Sequence, residues 1–377
     1  MTEKLEMQVK EISRGQQVEL LLEGKHVSGL IINDLQMRIG RAVVHMGGIG
    51  GVHTEREHRM KGYARRVLEY SNRYMLERGY DVSLLFGIPN FYQKFGFACC
   101  LPVYRLTLTT RRAEEARASV PGDLKVRRAR KGDFGRIRTI YNRHFARRTG
   151  TVVRPASWSG FRMGSAWGTK TITLVAADAQ GRILSYAGFD DREDALTVFE
   201  VAGEARTYPA LLSALAREAV RRRVENLTFL LPPDDPFSIY SRRFGGSMQI
   251  NRPYGGGGML RVINLPTLME KLTPELTARL RDSGRSAERT SFVLRTDIGA
   301  VTVTVEEGEV RTSPADSAGR RPTAHIPQHR LSQLLFGFRT VADVAQEPEV
   351  RIPAAVVDLL EVLFPLHWAH VSRPDYF

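Results

Sequence analysis

Basic residues surround a single glycine in the stretch EHRMKGYARR, residues 57–66. Arg59 and Lys61 precede Gly62, and Arg65 follows it. A glycine inside a helix costs about 1 kcal/mol relative to alanine, so its position where a helical pattern begins needs a compensating role. The first amides of a helix have no internal acceptors and carry positive potential, so they bind anions readily. We therefore expect a pyrophosphate-binding turn, with an ordinary solvated helix start as an equally weighted alternative.

The elements around this turn are typical of an α/β sheet. VELLLEGKHVSGLIIND and MRIGRAVVHMGGIGGVHT predict strands before it. In GYARRVLEYSNRYMLERGY, apolar residues recur at helical spacing at Tyr63, Val67, Tyr70 and Tyr74. GYDVSLLFG then predicts a buried strand, and FYQKFGFACCLPVYRLTL predicts a short helix followed by a final strand. Strands that lead into a helix and back to a strand indicate an α/β or α+β sheet.

The same order recurs later in the chain. TTRRAEEARASVPGDL predicts a charged linker broken by a Pro-Gly pair. After it come a strand and a helix in LKVRRARKGDFGRIRTIYNRHFARR, a hairpin in TITLVAADAQGRILSYAGFDD, and a helix in TYPALLSALAREAVRRR. IYSRRFGGSM then echoes FYQKFGF, so we interpret the two segments as a duplicated unit. A hairpin and two helices in a third segment predict a small α+β domain. The predicted domains are 1–115, 122–265 and 266–377.

Composition limits the class of protein. The chain has 377 residues, 42% hydrophobic and 25% charged, which is ordinary for two or three globular domains. Its net charge of +14 would suit nucleic acid, an anionic membrane or a phosphate-bearing small molecule. The basic residues are interleaved with acids, as on solvated helix faces, and no aromatic nucleic-acid signature accompanies them. No apolar run reaches a membrane span, and the charged N-terminus lacks a signal-peptide core, so we expect a cytoplasmic protein.

Cysteine usage gives no sign of a disulfide framework or a metal site. Only two cysteines occur, Cys99 and Cys100, and they are adjacent. Two small buried hydrophobes are favoured over a redox pair, and no metal-ligand spacing is present. We therefore expect no metal.

The stretch GGVHTEREHRMKGYARRVLEY resembles the acetyl-CoA signature of the GNAT superfamily of N-acetyltransferases, R-x-x-G-x-A after a V-x-[VT] strand. LLFGIPNFYQKFGF is similar to the tail of that fold. A second, degenerate acetyltransferase-like unit, a sterol-carrier-protein-like third domain and the ending LFPLHWAHVSRPDYF together resemble the Eis family of bacterial aminoglycoside-type acetyltransferases. The resemblance covers nearly the whole chain and implies two tandem GNAT-like domains.

The resemblance also implies a set of site residues. Backbone amides of a splayed strand would contact the pantetheine and the acetyl oxygen, a basic turn would hold the pyrophosphate, and the end of SLLFGI would contact the coenzyme again. The implied cofactor-binding residues are Val52, His53, Thr54, Arg59, Met60, Lys61, Gly62, Tyr63, Ala64, Arg65, Gly87 and Ile88. Tyr92 matches the proton donor of the family, although a tyrosine there could serve packing alone. Phe377 matches the terminal residue whose α-carboxylate is the base, although terminal residues often fray.

These residue types fit direct acetyl transfer. A carboxylate, ionised at neutral pH with an ordinary pKa of about 3.5, can take the proton of a cationic amine. A phenol can protonate the departing thiolate, and strand amides can hold the oxyanion. His53 and His58 are interpreted as a strand residue and a residue that shapes the turn. The run from Asp190 to Asp194 predicts a solvated hairpin tip, although acidic groups near a cleft could attract a polyamine.

Two departures from the family pattern matter. Family members carry two helices between their first strands, over the acceptor site, and residues 13–25 leave no room for them. The second unit has VFEVAGEARTYPALL where the motif would be, so we expect that copy to be architectural and not to bind acetyl-CoA.

The sequence therefore predicts an acetyl-CoA-dependent N-acetyltransferase, with acetyl-CoA as co-substrate. Its expected acceptor is a primary amine of a small cationic molecule resembling an aminoglycoside or a polyamine. By family analogy we expect a homo-oligomer. The alternatives are a non-catalytic acetyl-CoA- or lipid-binding protein and, third, a nucleic-acid-associated protein. Sequence alone names neither the amine nor the subunit count.

Overall fold

The computed structural model describes residues 4–161, 171–315 and 321–377. The chain divides into two compact units. The first unit comprises Met1–Leu101, Pro253–Ala369 and Phe377, and the second comprises Pro102–Arg252 and His370–Tyr376. The first three residues of the charged N-terminus lie outside the described residues.

Three stretches of chain supply the elements. Up to residue 101 these are β1 (Leu5–Ile12), β2 (Gly15–Leu22), β3 (Lys25–Ile39), β4 (Ala42–Thr54), α1 (Tyr63–Glu77), β5 (Val82–Gly87) and β6 (Ala98–Cys99). From 102 to 252 they are β7 (Val103–Thr109), α2 (Thr110–Glu114), β8 (Lys125–Arg128), α3 (Phe134–His144), β9 (Thr171–Ala177), β10 (Ile183–Asp190), β11 (Leu196–Gly203), α4 (Tyr208–Arg221), β12 (Asn226–Phe229), α5 (Pro236–Ser241) and β13 (Ser247–Asn251). The remainder forms β14 (Gly257–Val262), α6 (Leu265–Asp282), β15 (Thr290–Thr296), β16 (Gly299–Glu306), β17 (Glu309–Pro314), β18 (Thr323–His325), α7 (Gln328–Leu335), α8 (Val341–Val344) and α9 (Ala354–Leu363).

The first unit contains a seven-stranded mixed sheet in the order β1-β2-β3-β4-β5-β14-β6. Strands β1 to β4 are antiparallel neighbours, with only two residues between β1 and β2 and two between β2 and β3. β4 and β5 are parallel, and α1 connects them. β14 is antiparallel to both β5 and β6. The chain therefore has no helices between its first strands, as residues 13–25 predicted.

The second unit repeats that arrangement. Its seven strands lie in the order β8-β9-β10-β11-β12-β7-β13. Four antiparallel strands are again followed by a parallel pair, β11 with β12, which α4 connects. In each sheet the sixth strand is distant in sequence from the strands beside it: β14 from β5 and β6, and β7 from β12 and β13. The two equivalent strand orders explain the repeat in the sequence.

The remaining strands form a four-stranded sheet in the order β17-β16-β15-β18, and they belong with the first unit. The predicted hairpin is β15 and β16, with Thr290 opposite Val305. The predicted helices are α7 and α9, and Pro353 is the N-cap of α9. The likeness of this part to a sterol carrier protein, and the three predicted domain boundaries, stay predictions.

Helix α1 packs as its spacing predicted. Tyr63, Val67 and Tyr74 are buried in the core of the first unit, and Tyr70 is half-buried beside them.

In the described residues, no helix combines the length and the apolar composition that crossing a membrane requires.

Two local predictions are wrong. The expected linker TTRRAEEARASVPGDL is largely helical, because Thr109 caps α2 by accepting a hydrogen bond from the amide of Arg112, and Ala113 and Ala116 are fully buried. The charged residues around these alanines concealed their burial. The single strand expected in FACCLPVYRLTL is two strands, β6 and β7, in different sheets.

Candidate functional site

Strands β4 and β5 separate before β4 ends. Four residue pairs join them, the last being Ile49 with Leu85, while β4 continues to Thr54. Along this extension β4 pairs with β3 on its other side, and the end of β5 pairs with β14. In the described part of the chain, the β4 edge beyond Ile49 therefore presents backbone groups that have no β5 partner, and such groups need partners elsewhere.

The turn from β4 into α1 uses left-handed backbone at two positions. Met60 has a φ of 63° and Gly62 a φ of 79°. Gly62 is the N-cap of α1, and no atom lies within 4 Å of where its Cβ would stand. Glycine adopts such a φ without steric cost. Gly62 is therefore outside the helix interior, and the helix penalty that the sequence suggested does not arise.

The first turn of α1 offers unpaired donors. Its first backbone hydrogen bond runs from the amide of Arg66 to the carbonyl of Gly62, at 3.2 Å, so the amides of Tyr63, Ala64 and Arg65 precede the helical ladder. In this fully described helix, no side chain caps the N-terminus and no acidic residue lies in the first turn. The positive end of the helix dipole is thus uncompensated within the helix itself, and Arg65 is exposed beside it.

Tyr92 lies just beyond the end of β5, in a short 3-10 turn. A Cβ on Gly87 would stand 2.5 Å from Cδ2 of Tyr92, so the glycine makes room for the ring. The ring also packs edge-to-face on Phe91, with centroids 4.9 Å apart. Tyr92 is 8% exposed, and burial raises the pKa of its phenol above the usual 10. Tyr92 therefore stays protonated at neutral and mildly alkaline pH.

Phe377 lies against the strands of the first unit. Its ring atoms are 2.8–2.9 Å from the position that a Cβ of Gly48 would take, and its carbonyl carbon is 2.8 Å from the equivalent position on Gly50. Its ring centroid is 5.8 Å from that of Phe86 on β5. Asn33, buried on β3, donates to the carbonyl of Gly48 at 3.0 Å and braces that strand. Gly48, Gly50 and Asn33 were not among the site residues predicted from the sequence. The glycine run GGIGG was the available signal.

The predicted site residues gather at one edge of the first sheet. Because β4 and β5 are parallel, their carboxyl ends meet, and α1 begins there. His53 and Ile88 are exposed, whereas Val52, Thr54 and Gly87 are half-buried. Exposed residues dominate the turn: Arg59, Met60, Lys61 and Gly62. Arg59 donates from Nε to the carbonyl of Thr54 at 3.2 Å, which ties the turn to the strand.

The equivalent helix of the second unit starts differently. The first residues of α4, Tyr208, Pro209 and Ala210, are buried, and proline has no amide hydrogen to donate. Just before them, the amide of Glu204 donates to Oγ of Ser185 at 2.7 Å. This geometry is in keeping with the prediction that the second copy is architectural.

The C-terminal segment of the second unit is held by a buried ion cluster. Arg154, 2% exposed, donates to both carboxylate oxygens of Glu200 at 2.9 and 2.7 Å and to both of Asp375 at 3.1 and 3.0 Å. Its guanidinium carbon lies 3.5 Å from the centroid of the Tyr141 ring. These bonds fix Asp375 within the second unit.

The predicted hairpin tip is only partly correct. Asp191, Glu193 and Asp194 are exposed, but Asp190 is 2% exposed and accepts from Arg373 at 2.6 Å. Burial raises the pKa of Asp190, and Arg373 opposes that effect. An acidic run in sequence could not reveal that its first member ends a buried strand.

Comparison with known proteins agrees with this geometry. Residues 3–100 match the acetyltransferase (GNAT) domain. A GCN5-related N-acetyltransferase from Kribbella flavida is 19% identical, with a TM-score of 0.71 over 96% of this chain and 87% of that one. A second such protein, from Anabaena variabilis, is 15% identical, with a TM-score of 0.74 over 96% and 89%. Eis1 from Mycobacterium abscessus is 16% identical, with a TM-score of 0.67 over 97% and 91%. No curated protein matches the sequence.

These matches define the class of protein. The predicted mixed α/β fold, with two GNAT-like sheets and a smaller third one, is confirmed. The match shows a GNAT acetyltransferase domain in residues 3–100, which makes the protein an N-acetyltransferase, and the GNAT fold uses acetyl-CoA. The likeness to Eis1 extends over nearly the whole chain as a likeness of fold.

Proposed function

We propose that the protein transfers an acetyl group from acetyl-CoA directly to a primary amine of a small cationic molecule. One observation carries this proposal: Phe377 lies on Gly48 and Gly50 of β4, next to the point where β4 and β5 separate. Tyr92, packed on Gly87 at the end of β5, supplies an acidic proton at the same sheet edge.

The residues fit the coenzyme by their free backbone groups. We assign the diphosphate to the amides at the start of α1, with Arg59, Lys61 and Arg65 supplying charge. The pantetheine would run along the edge of β4 at Val52, His53 and Thr54. There it would form hydrogen bonds with backbone groups of β4 that have no partner on β5. Further backbone contacts are assigned to Met60, Tyr63, Ala64, Gly87 and Ile88.

Acetyl-CoA supplies an activated thioester, and the chain supplies proton transfer and positioning. The α-carboxylate of Phe377 takes a proton from the ammonium group of the acceptor, directly or through a water. The freed amine attacks the thioester carbon, while strand amides stabilise the developing oxyanion. As the carbon–sulfur bond breaks, Tyr92 donates its phenolic proton to the thiolate. The nitrogen then loses its second proton to form the neutral amide, and that proton returns, directly or through water, to the phenolate of Tyr92. The role of Phe377 requires a free α-carboxyl group.

The cationic character of the acceptor follows from the proposed base. A carboxylate attracts the ammonium form of an amine and then deprotonates it, whereas a neutral acceptor would gain nothing from this pairing. Polyamines and aminoglycosides carry several such groups. The resemblance to the Eis family supports the same acceptor class and a homo-oligomeric state, which analytical ultracentrifugation tests.

The decisive experiment measures CoA release with acetyl-CoA and a panel of polyamines, aminoglycosides and neutral amines. It is repeated with one residue appended after Phe377. We expect turnover with polycationic amines and a loss of at least about 100-fold in kcat for the extended chain, because the base is displaced. Full activity of the extended chain would overturn the role of Phe377. Acetyl-CoA binding without turnover of any amine would favour the non-catalytic alternative.

A further inference from the structure

Two histidines and a glutamate meet at the end of the β3–β4 ladder. His26 lies near the start of β3, His53 lies near the end of β4, and Glu55 follows β4 directly. One ligand atom from each lies within 4.8 Å of the other two. Imidazole nitrogens with a carboxylate oxygen are a common ligand set for divalent transition metals. The sequence spacing did not indicate this set, because the two histidines are on different strands.

Hydrogen bonds to backbone carbonyls hold the main chain of this cluster in place. The hydroxyl of Ser28 donates to the carbonyl of His53 at 2.8 Å. The amide of Glu55 donates to the carbonyl of Val27 at 2.9 Å. Val27 and Ser28, which follow His26, are thus hydrogen-bonded to Glu55 and His53. The pairing of β3 with β4 therefore brings the three residues of the cluster together.

The two imidazoles are prepared to bind a cation. Nδ1 of His53 lies 2.9 Å from the carbonyl of Gly51, which can only accept, so the proton is on Nδ1 and the Nε2 lone pair is available. Nε2 of His26 is buried and has no hydrogen-bond partner among the described residues. An unpaired buried polar atom is unfavourable, and a bound ion would satisfy it. A Cβ on Gly29 would stand 3.3 Å from this nitrogen, so the glycine leaves space beside it.

The surroundings discriminate between kinds of ion. The cluster has a single carboxylate, that of Glu55, and is flanked in the sequence by three basic residues, Lys25, Arg56 and Arg59. Hard cations such as Mg²⁺ and Ca²⁺ bind chiefly to several oxygen ligands, so the electrostatic attraction of the cluster for them is weak. Zn²⁺, Co²⁺, Ni²⁺ and Cu²⁺ bind imidazole well. A tetrahedral ion with bonds of about 2.0–2.2 Å places its ligands about 3.4 Å apart, so the side chains must close by about 1.5 Å. His53 and Glu55 are exposed and can rotate.

We propose that His26, His53 and Glu55 bind one divalent transition-metal ion, with water completing the coordination. The ion would also inhibit the enzyme. His53 and Thr54 lie on the strand edge that we assign to the pantetheine, so an ion on His53 would compete with acetyl-CoA. This second part rests on the proposed function, whereas the binding of the ion does not.

The first test is a titration of the chelator-treated protein with Co²⁺, followed by visible absorption. We expect one ion per chain with the ligand-field bands of nitrogen and oxygen ligation, and a loss of at least tenfold in affinity for His26→Gln and for Glu55→Gln. His45→Gln is the matched control, because His45 is also a β4 histidine beside a carboxylate, Asp34, at 2.7 Å. The site would be overturned if no bands appeared at millimolar Co²⁺, or if both cluster variants bound Co²⁺ with the affinity of the wild type. Glu55, being exposed, tests it even if the His26 variant fails to fold.

The second test measures acetyl-CoA binding by calorimetry with and without Zn²⁺. We expect Zn²⁺ to raise the Kd for acetyl-CoA at least tenfold in the wild type and to leave it nearly unchanged in Glu55→Gln. Any binding of Zn²⁺ to the coenzyme in solution is the same for both proteins, so the comparison between them removes it. Co²⁺ binding with an unchanged Kd for acetyl-CoA would refute the inhibition and leave the site standing. If acetyl-CoA did not bind even without metal, the proposed function would fail, while the Co²⁺ titration would still decide the site.

Discussion

The carbonyl carbon of Phe377 lies 2.8 Å from the position that a Cβ of Gly50 would occupy. Real Cβ atoms do not approach another atom so closely, so position 50 accepts only glycine while Phe377 stays in place. The same holds for Gly48, whose missing side chain is replaced by the ring of Phe377. Two glycines of β4, Gly48 and Gly50, are thus explained by the residue that covers them.

Replacing Gly50 with alanine tests this contact. We expect Gly50→Ala to lower kcat about 100-fold, because displacing a catalytic group by about 1 Å has that effect, and to change the KM for acetyl-CoA little. Steady-state kinetics measures both. Gly135→Ala, where nothing lies within 4 Å of the added Cβ, is the control and should keep full activity. A Gly50→Ala enzyme with wild-type kcat would show that the position of Phe377 is irrelevant to turnover.

Removing the phenol of Tyr92 tests the proton donor. We expect Tyr92→Phe to lower kcat at least about 100-fold with little change in KM, since general acids contribute factors of that size. Burial raises the pKa of Tyr92, so the acid stays protonated as pH rises. The wild-type rate should therefore show no alkaline loss from this group below pH of about 10. A Tyr92→Phe enzyme with the kcat of the wild type would contradict the assignment of Tyr92 as the proton donor.

A pair of glycines separates ligand binding from backbone strain. Gly62 and Gly79 flank α1, have φ of 79° and 74°, and have no atom within 4 Å of the would-be Cβ. Alanine at either position costs about 1–2 kcal/mol of stability, because left-handed backbone strains an L-residue. Only Gly62→Ala should also raise the KM for acetyl-CoA, by tenfold or more, since only Gly62 lies at the proposed diphosphate site. Equal KM values in the two variants would rule out that site.

The ion cluster of the second unit predicts a large loss of stability. Arg154→Met leaves the buried carboxylates of Glu200 and Asp375 without their cation, so we expect the free energy of unfolding to fall by about 3–5 kcal/mol. Arg192→Met removes an exposed pair with Asp194 and should leave the free energy of unfolding nearly unchanged. Urea unfolding compares the two. A loss of similar size in both variants would mean that burial adds nothing at Arg154.

His370 predicts a pH dependence of stability. Burial lowers the pKa of His370 to about 4, with Arg148 acting in the same direction and Asp235 and Glu200 opposing it. Below pH 6.5 the unfolded chain binds a proton that the folded chain refuses, so stability falls as pH drops from about 6.5 to about 4. The loss from this group approaches about 3 kcal/mol. Thermal unfolding across this range should show a shallower slope for His370→Gln. An identical slope would exclude His370 as the source.

The features that could be predicted from the sequence are those with a local signal. The helical spacing of Tyr63, Val67 and Tyr74 predicted α1 and its buried face, and the motif around Gly62 predicted the kind of domain. The repeat of strand and helix patterns predicted two similar sheets. These features depend on neighbouring residues and on periodicity, which a single chain displays directly.

What remained hidden depends on contacts between distant residues. No pattern near Gly48 or Gly50 indicates that residue 377 lies on them. No pattern near Arg154 reveals its partners Glu200 and Asp375, because an ion pair across many residues leaves no periodicity. The helical nature of the expected linker was masked by charge, since the two alanines that bury it are a weak signal.

The strand orders have a consequence for synthesis on the ribosome. The sixth strand of the first sheet, β14, follows the whole of the Pro102–Arg252 segment in the sequence. A nascent chain that has released only its first hundred residues therefore holds an open gap beside β5. Translation must proceed through Val262 before that vacancy can close, so the acetyltransferase domain reaches its final form only after most of the polypeptide has emerged.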